Sequence, residues 1–69
     1  RITAVYYLNE NWSREDGGAL RIYDECGDIV EVSPAAGRVV VFDSFLEHEV
    51  LEARRDRYAL TFWIFAERR

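Results

Sequence analysis

Several residue types are scarce or missing in this chain of 69 residues, and each shortage argues against a particular kind of site, segment or binding partner. The single cysteine, Cys26, allows neither an internal disulfide nor a zinc site built from several cysteines, so we expect a reducing, cytoplasmic environment. No apolar run approaches the roughly 18 residues of a transmembrane helix, and no signal-peptide pattern is visible. Lysine is absent, all nine basic residues are arginine, and the net charge is −4, which argues against binding to nucleic acid or to anionic membranes.

Apolar and aromatic side chains are plentiful instead. The chain is 49% hydrophobic and 14% aromatic. A domain of this size buries only about 60% of the surface that its unfolded chain exposes, so its own core is marginal. Such an apolar composition, with a strand-like pattern from the first residues, predicts one domain that is a segment of a longer protein with a larger sheet system.

Short apolar segments alternate with polar turns along the chain. Residues 9–18 form a polar loop in which a helical turn over residues 13–16 would be stopped by Gly17 and Gly18. No amphipathic helix is visible, so the pattern predicts an all-β antiparallel sandwich or barrel. Residues 38–42 are apolar enough to be covered on both faces. The six predicted strands cover residues 2–8, 19–23, 28–32, 38–42, 48–50 and 57–66, and residues 67–69 form a charged end.

Arg57 is an unusual residue at the head of the last predicted strand. In a strand it shares a face with Ala59, Thr61 and Trp63. Most arginines are surface cations paired with a neighbouring carboxylate, here Asp56 or Glu52. An arginine on an apolar face instead requires a planar anion, and nothing acidic in the chain shares this face. A ligand carboxylate is therefore a natural partner.

His48 is the only histidine, and a lone histidine is more often a surface or hydrogen-bonded residue than a metal ligand. By alternation Glu47 and Glu49 point away from it, whereas Val50 shares its face, so the imidazole would lie above an apolar floor. The pair Tyr6-Tyr7 places one phenol on each face of the first strand. A buried phenol needs a partner, but the alternation alone does not say which tyrosine faces inward.

Several segments together form a recognisable pattern: residues 2–9 (ITAVYYLN), Trp12, residues 17–23 (GGALRIY), residues 38–42 (RVVVF), residues 48–50 (HEV) and residues 57–63 (RYALTFW). Taken together, these segments closely resemble the iron(II)/2-oxoglutarate dioxygenases, and within them the prolyl 4-hydroxylase branch with its hypoxia-sensing and bacterial members. The resemblance covers nearly the whole chain in order. It implies a double-stranded β-helix, or jelly roll, of which this chain is the C-terminal part with about six mostly antiparallel strands.

The resemblance also implies roles for individual residues. His48 resembles the distal iron-binding histidine, Arg57 the arginine that grips the far carboxylate of 2-oxoglutarate, and Tyr7 the phenol that hydrogen-bonds to that carboxylate. No residue of this chain is assigned to catalysis itself. The other residues expected around the cosubstrate are Thr61, Trp63, Leu20 and Val50, with Val5 and Phe42 as pocket wall.

The implied reaction hydroxylates a peptidyl proline while 2-oxoglutarate and O2 become succinate and CO2. Iron(II), 2-oxoglutarate and ascorbate are the expected cofactors, and a peptide or protein is the expected substrate. The family's other two iron ligands, a His-x-Asp motif, precede the strand that starts at residue 1. We therefore expect the chain to be a fragment that begins after this motif and is inactive alone, with a pseudo-enzyme that lost the motif as the alternative.

Two further alternatives come from other classes of protein. A cupin-like jelly-roll module would use His48 and Arg57 to hold a small carboxylate without redox chemistry. A purely structural β-domain would interact through exposed aromatic residues, of which Trp12 in the polar loop is the best candidate, although a loop tryptophan most often anchors its own loop. Release of succinate distinguishes the first alternative from an oxygenase, and iron-dependent binding of 2-oxoglutarate distinguishes the second.

Overall fold

A computed structural model describes residues 1–65, which form two three-stranded antiparallel sheets. The six predicted strands are all present in the predicted order, and the all-β prediction is confirmed. The only helical element among these residues is a short 3-10 turn, Arg14–Asp16, in the loop where a helical turn was expected. The strands are β1 (Ile2–Tyr7), β2 (Leu20–Tyr23), β3 (Ile29–Val32), β4 (Val39–Asp43), β5 (Glu47–Val50) and β6 (Ala59–Ile64).

Each sheet has one central strand. Strand β1 lies between β4 and β6, and β2 lies between β3 and β5. The side chains of β1 alternate as predicted, so that Thr3, Val5 and Tyr7 are buried while Ile2 and Tyr6 are exposed. The inner faces of the two sheets meet in a small apolar core, as expected for a sandwich of sheets. Its buried members are Val5, Tyr7, Leu20, Ile22 and Phe42.

The prediction that residues 38–42 are covered on both faces is wrong for the described part of the chain. Val39 and Val41 are 57% and 62% exposed, whereas Phe42 is buried. The reason is the register: Val39 and Val41 pair with Tyr6 and Ala4 on the outward face of the β4–β1–β6 sheet. Residues 1–65 provide no second layer on that face, so its apolar side chains remain exposed.

The start of the last strand also differs from the prediction. Strand β6 begins at Ala59 rather than at Arg57, because the buried side chain of Asn9 takes the place of a strand partner at Tyr58. It ends at Ile64, and the predicted end at Ala66 and the charged end 67–69 lie outside the described residues. The other strand ends differ by one residue, apart from exact matches at the start of β1 and at the C-terminal ends of β2, β3 and β5.

Two loops dock against each other at one end of the sheets. The backbone N–H of Arg54 donates to the carbonyl of Asp16 at 2.7 Å, and that of Gly18 donates to the carbonyl of Glu52 at 2.9 Å. The loop of residues 51–58 therefore lies along the loop of residues 9–18, and Arg57 is brought beside Gly18. Across residues 1–65, no helix is long and apolar enough to cross a membrane.

Candidate functional site

A cavity of about 230 Å³ lies between the two sheets. It is lined by inward-facing side chains of β1, β2, β4, β5 and β6 and by Arg57 from the loop before β6. The structure thus brings every residue of the predicted site to one place, although their chemical roles remain predictions. These residues are Val5, Tyr7, Leu20, Phe42, His48, Val50, Arg57, Thr61 and Trp63.

Antiparallel register explains why these side chains converge. Residues directly opposite each other in neighbouring strands share a face of the sheet. Val5 lies opposite Thr61 in the first sheet, and Leu20 lies opposite Val50 in the second. Because both pairs are on inner faces, the cavity is walled by two sheets. It stays open on one side, where Val50 and Trp63 are more than half exposed.

Arg57 and Tyr7 form the buried side of the cavity. The Nε–H of Arg57 donates to the backbone carbonyl of Gly18 at 2.8 Å, and its Nη2 lies 3.4 Å from the phenolic oxygen of Tyr7. The guanidinium carbon is 5.2 Å from the centre of the Tyr7 ring, a cation–π distance. Arg57 lies before the first residue of β6, but its side chain enters the same cavity that Ala59 and Thr61 line.

No carboxylate of the described residues is paired with Arg57. The ion pairs within residues 1–65 join Arg21 to Glu31 and Arg55 to Asp16. The reading of Arg57 as a surface cation bound to Asp56 or Glu52 is therefore wrong. A guanidinium in this setting has Nη–H groups available to a planar anion.

Tyr7 is fully buried, and its phenol remains neutral at physiological pH. Burial raises the pKa of the Tyr7 phenol above its ordinary value, and the nearby Arg57 cation opposes but does not cancel this effect. Its O–H group is therefore a hydrogen-bond donor. With the Nη groups of Arg57, the phenol makes a set of donors suited to a carboxylate.

His48 lies on β5 opposite Ile22, on the open side of the cavity. Its Nδ1 is 2.8 Å from the carbonyl oxygen of Leu46, and its ring meets that of Phe42 edge-on at 5.0 Å. A carbonyl can only accept, so Nδ1 carries the proton and Nε2 keeps its lone pair in the neutral ring. Such a nitrogen is an ordinary metal ligand, oriented by the bond at the other nitrogen.

The neighbouring carboxylates do not complete a metal site with His48. Glu49 accepts a hydrogen bond from the Tyr23 phenol at 2.7 Å, on the opposite face of the sheet. No group of three potential ligands from histidine, cysteine, aspartate and glutamate occurs in residues 1–65. The described residues thus fit a metal through one ligand only, whereas they fit a carboxylate through a full set of donors.

The sequence analysis missed several lining residues. Thr3 and Ser44 line the cavity and join their hydroxyl groups at 2.6 Å, and Ala59 lines it opposite Tyr7. Alternation along β1 places Thr3 on the face of Val5 and Tyr7, so this residue was recognisable from the sequence. Ser44 follows the end of β4, where no periodic pattern indicates a direction.

The cavity between the two sheets thus presents an arginine, a buried phenol and an imidazole nitrogen, and comparisons with known proteins give the family. The family model of the 2OG-Fe(II) oxygenase superfamily matches residues 1–65. The chain belongs to this superfamily, and the resemblance stated from its motifs is confirmed.

Individual relatives agree with this assignment. The chain is 44% identical to human prolyl hydroxylase EGLN3 over 68 residues, which cover 93% of this chain and 28% of that protein. It is 44% identical over 66 residues to the hypoxia-inducible factor prolyl hydroxylase of Caenorhabditis elegans, covering 90% of this chain and 9% of the relative. A crystal structure of a Pseudomonas putida prolyl-4-hydroxylase superposes with a TM-score of 0.83 at 48% identity, covering 87% of this chain and 34% of that one. The chain thus spans about a third or less of each of these relatives.

Proposed function

We propose that the protein is an iron(II)- and 2-oxoglutarate-dependent dioxygenase that hydroxylates a peptidyl proline, and that this chain carries the 2-oxoglutarate-binding part of its catalytic domain. The observation that carries the proposal is the pair formed in the cavity by a half-buried Arg57 and a buried Tyr7, without a carboxylate partner among residues 1–65. Family membership supplies the class of reaction, and the names of the relatives support proline as the residue modified.

Arg57 and Tyr7 would hold the carboxylate of 2-oxoglutarate that lies farther from the metal. Because Nε of Arg57 is engaged by Gly18, the Nη groups are left to bind the ligand. The neutral Tyr7 phenol donates one more hydrogen bond, and such bonds to an ionised acceptor are short and strong. The apolar wall of Val5, Leu20 and Phe42 keeps water away from the bound acid.

His48 would hold the iron through Nε2. Bound iron(II) in a site of two histidines and one carboxylate supplies oxygen activation, which couples oxidation of 2-oxoglutarate to succinate with hydroxylation of the substrate. We expect the remaining two ligands to come from outside residues 1–65, as a His-x-Asp motif. Ascorbate belongs to the same proposal as an accessory reductant, supported by the resemblance alone.

The test uses the natural full-length protein with a proline-containing peptide, and it measures succinate formation at varied 2-oxoglutarate concentration. Arg57→Ala should raise the 2-oxoglutarate requirement, since truncating one partner of a buried charge pair costs about 2–5 kcal/mol, or roughly 30-fold and more. His48→Ala should abolish turnover and lower the iron content. Arg14→Ala, which removes an exposed guanidinium far from the cavity, is the matched control. An unchanged 2-oxoglutarate requirement in Arg57→Ala would refute the assignment.

A second candidate is a jelly-roll module that binds a small carboxylate without redox chemistry. It is favoured by one observation, namely that residues 1–65 present a full set of carboxylate donors but a single metal ligand. This module would bind 2-oxoglutarate with Arg57 and Tyr7 yet release no succinate. The same assay therefore separates the two functions.

A further inference from the structure

Asn9, Trp12, Gly17 and Gly18 belong to the segments that carry the family resemblance, yet none of them lines the cavity. In the structure they lie together around Arg57. We propose that Gly18 and Asn9 are positioning residues that fix Arg57 for carboxylate binding, with Trp12 holding Gly18 in place. The inference rests on the proposed role of Arg57.

Gly18 controls the side chain of Arg57 in two ways. Its carbonyl accepts the Nε–H of Arg57 at 2.8 Å, which sets the plane of the guanidinium and leaves both Nη groups to the cavity. Its α-carbon also leaves room for the arginine stem, since a Cβ built on Gly18 would lie 3.1 Å from Cδ of Arg57 and 3.1 Å from Cζ2 of Trp12. The Cβ would also lie 3.1 Å from Cβ of Ala53, so a side chain here would crowd the stem of Arg57 from a position with no open space around it.

The position of Gly18 is itself fixed by its neighbours. The indole N–H of Trp12 donates to the carbonyl of Gly17 at 2.8 Å, and the guanidinium of Arg55 covers the Trp12 ring at 4.8 Å. Gly17 approaches the opposite loop so closely that a Cβ would lie 2.3 Å from the carbonyl oxygen of Glu52. Trp12 is therefore a loop anchor rather than an exposed contact residue, and it anchors Gly17, the residue before the one whose carbonyl accepts the Arg57 hydrogen bond.

Asn9 holds the backbone next to Arg57. Its Oδ1 accepts the Tyr58 N–H at 2.6 Å, while its Nδ2 donates to the Tyr58 carbonyl at 2.9 Å and to the Pro34 carbonyl at 2.8 Å. The buried amide thus bonds both backbone groups of Tyr58, whose carbonyl also accepts the Leu8 N–H at 3.3 Å. Asn9 therefore holds the backbone of Tyr58, the residue after Arg57, while Gly18 holds the Arg57 side chain.

A simpler explanation is that Gly18 is needed only because its backbone has φ of 72°, which disfavours any residue with a Cβ. Gly27 provides the control for this explanation. It has φ of 90° and no atom within 4 Å of a built Cβ, and it lies in the turn between β2 and β3. Gly18→Ala and Gly27→Ala therefore share the backbone strain, but only the first crowds Arg57.

The experiment measures the 2-oxoglutarate dissociation constant of the iron-loaded full-length protein by anaerobic calorimetry, with the melting temperature recorded in parallel. Both alanine variants should melt at a lower temperature. Only Gly18→Ala should weaken binding, by about tenfold, because a misplacement of roughly 1 Å can cost on the order of 100-fold. Equal dissociation constants for the two variants would overturn the inference.

Two additional variants keep the test decisive. If Gly18→Ala does not fold, Trp12→Phe keeps an aromatic ring in the loop but loses the bond to Gly17, and an unchanged dissociation constant in Trp12→Phe overturns the inference. In an Arg57→Lys variant, which lacks the Nε–H that bonds Gly18, the further substitution Gly18→Ala should lower the affinity for 2-oxoglutarate only a little more. If Gly18→Ala lowers the affinity as much in this variant as in the natural protein, Gly18 does not act through Arg57.

Failure of the inference and failure of the proposed function are distinguishable. If Arg57→Ala binds 2-oxoglutarate as well as the natural protein does, the proposed function fails. If Arg57→Ala weakens binding while Gly18→Ala and Trp12→Phe do not, only the positioning role fails.

Discussion

Replacing Tyr7 by phenylalanine removes one oxygen from the cavity and nothing else. The ring that lies 5.2 Å below the Arg57 guanidinium remains, so the cation–π contact and the core packing are kept. The existing bond from Arg57 Nη2 to the phenol is long, at 3.4 Å, and contributes little. The loss of this hydroxyl group therefore matters mainly for a ligand that accepts a hydrogen bond from it.

The magnitude follows from the kind of bond that is lost. A hydrogen bond to a charged acceptor is worth about 1.5–3 kcal/mol. At roughly 1.4 kcal/mol for each factor of ten, Tyr7→Phe should raise the 2-oxoglutarate dissociation constant by about 10- to 100-fold. The neutral state of the phenol, maintained by the raised pKa of Tyr7, makes this donor available across the physiological pH range.

The assay is calorimetric binding of 2-oxoglutarate to the iron-loaded full-length protein, and Tyr6→Phe is the control. Tyr6 precedes Tyr7 in the same strand but faces outward and is 39% exposed. Its substitution deletes the same atom on the other face of the sheet and should leave the dissociation constant unchanged. Equal affinities for the two phenylalanine variants would refute the carboxylate-binding role of Tyr7.

Three further predictions concern the same region. Arg57→Lys should weaken 2-oxoglutarate binding although the charge is kept, because lysine has no Nε to bond Gly18; wild-type affinity would contradict this. Asn9→Ala should lower the free energy of unfolding by about 1–3 kcal/mol in denaturant titration, since buried partners at Tyr58 and Pro34 lose their bonds. Because the folded pKa of Tyr7 exceeds the unfolded one, stability should fall as pH rises above about 10, and this fall should be smaller in Tyr7→Phe.

The part of the site that lies on strands was predictable from alternation alone. A period of two places Thr61 and Trp63 on one face of β6, and His48 with Val50 on one face of β5, and the structure agrees. Alternation works here because each sheet has one buried face, so that a strand has only two orientations to choose between. The choice between Tyr6 and Tyr7 came from the family resemblance instead.

The part of the site that lies on loops was not predictable in this way. Arg57 precedes β6, and its position depends on Asn9 and Gly18, which are 48 and 39 residues away in the chain. Such contacts leave no local periodic signal. The exposure of Val39 and Val41 was missed for a related reason: an apolar strand indicates that both faces can be covered, but not which residues cover them.

The docking of the two loops has a consequence for proteolysis. Arg54 and Arg55 are exposed residues of the loop that carries Arg57, and both cross to the loop of residues 9–18, Arg54 at the Glu15 carbonyl and Arg55 at the Asn11 carbonyl. A carboxylate that binds Arg57 only when the two loops are docked would stabilise the docked state. By thermodynamic linkage, docking of the loops would strengthen carboxylate binding by the same free energy. Trypsin cuts after arginine only where the backbone can open. If the proposed function holds, cleavage at Arg54 and Arg55 should therefore slow as 2-oxoglutarate is added.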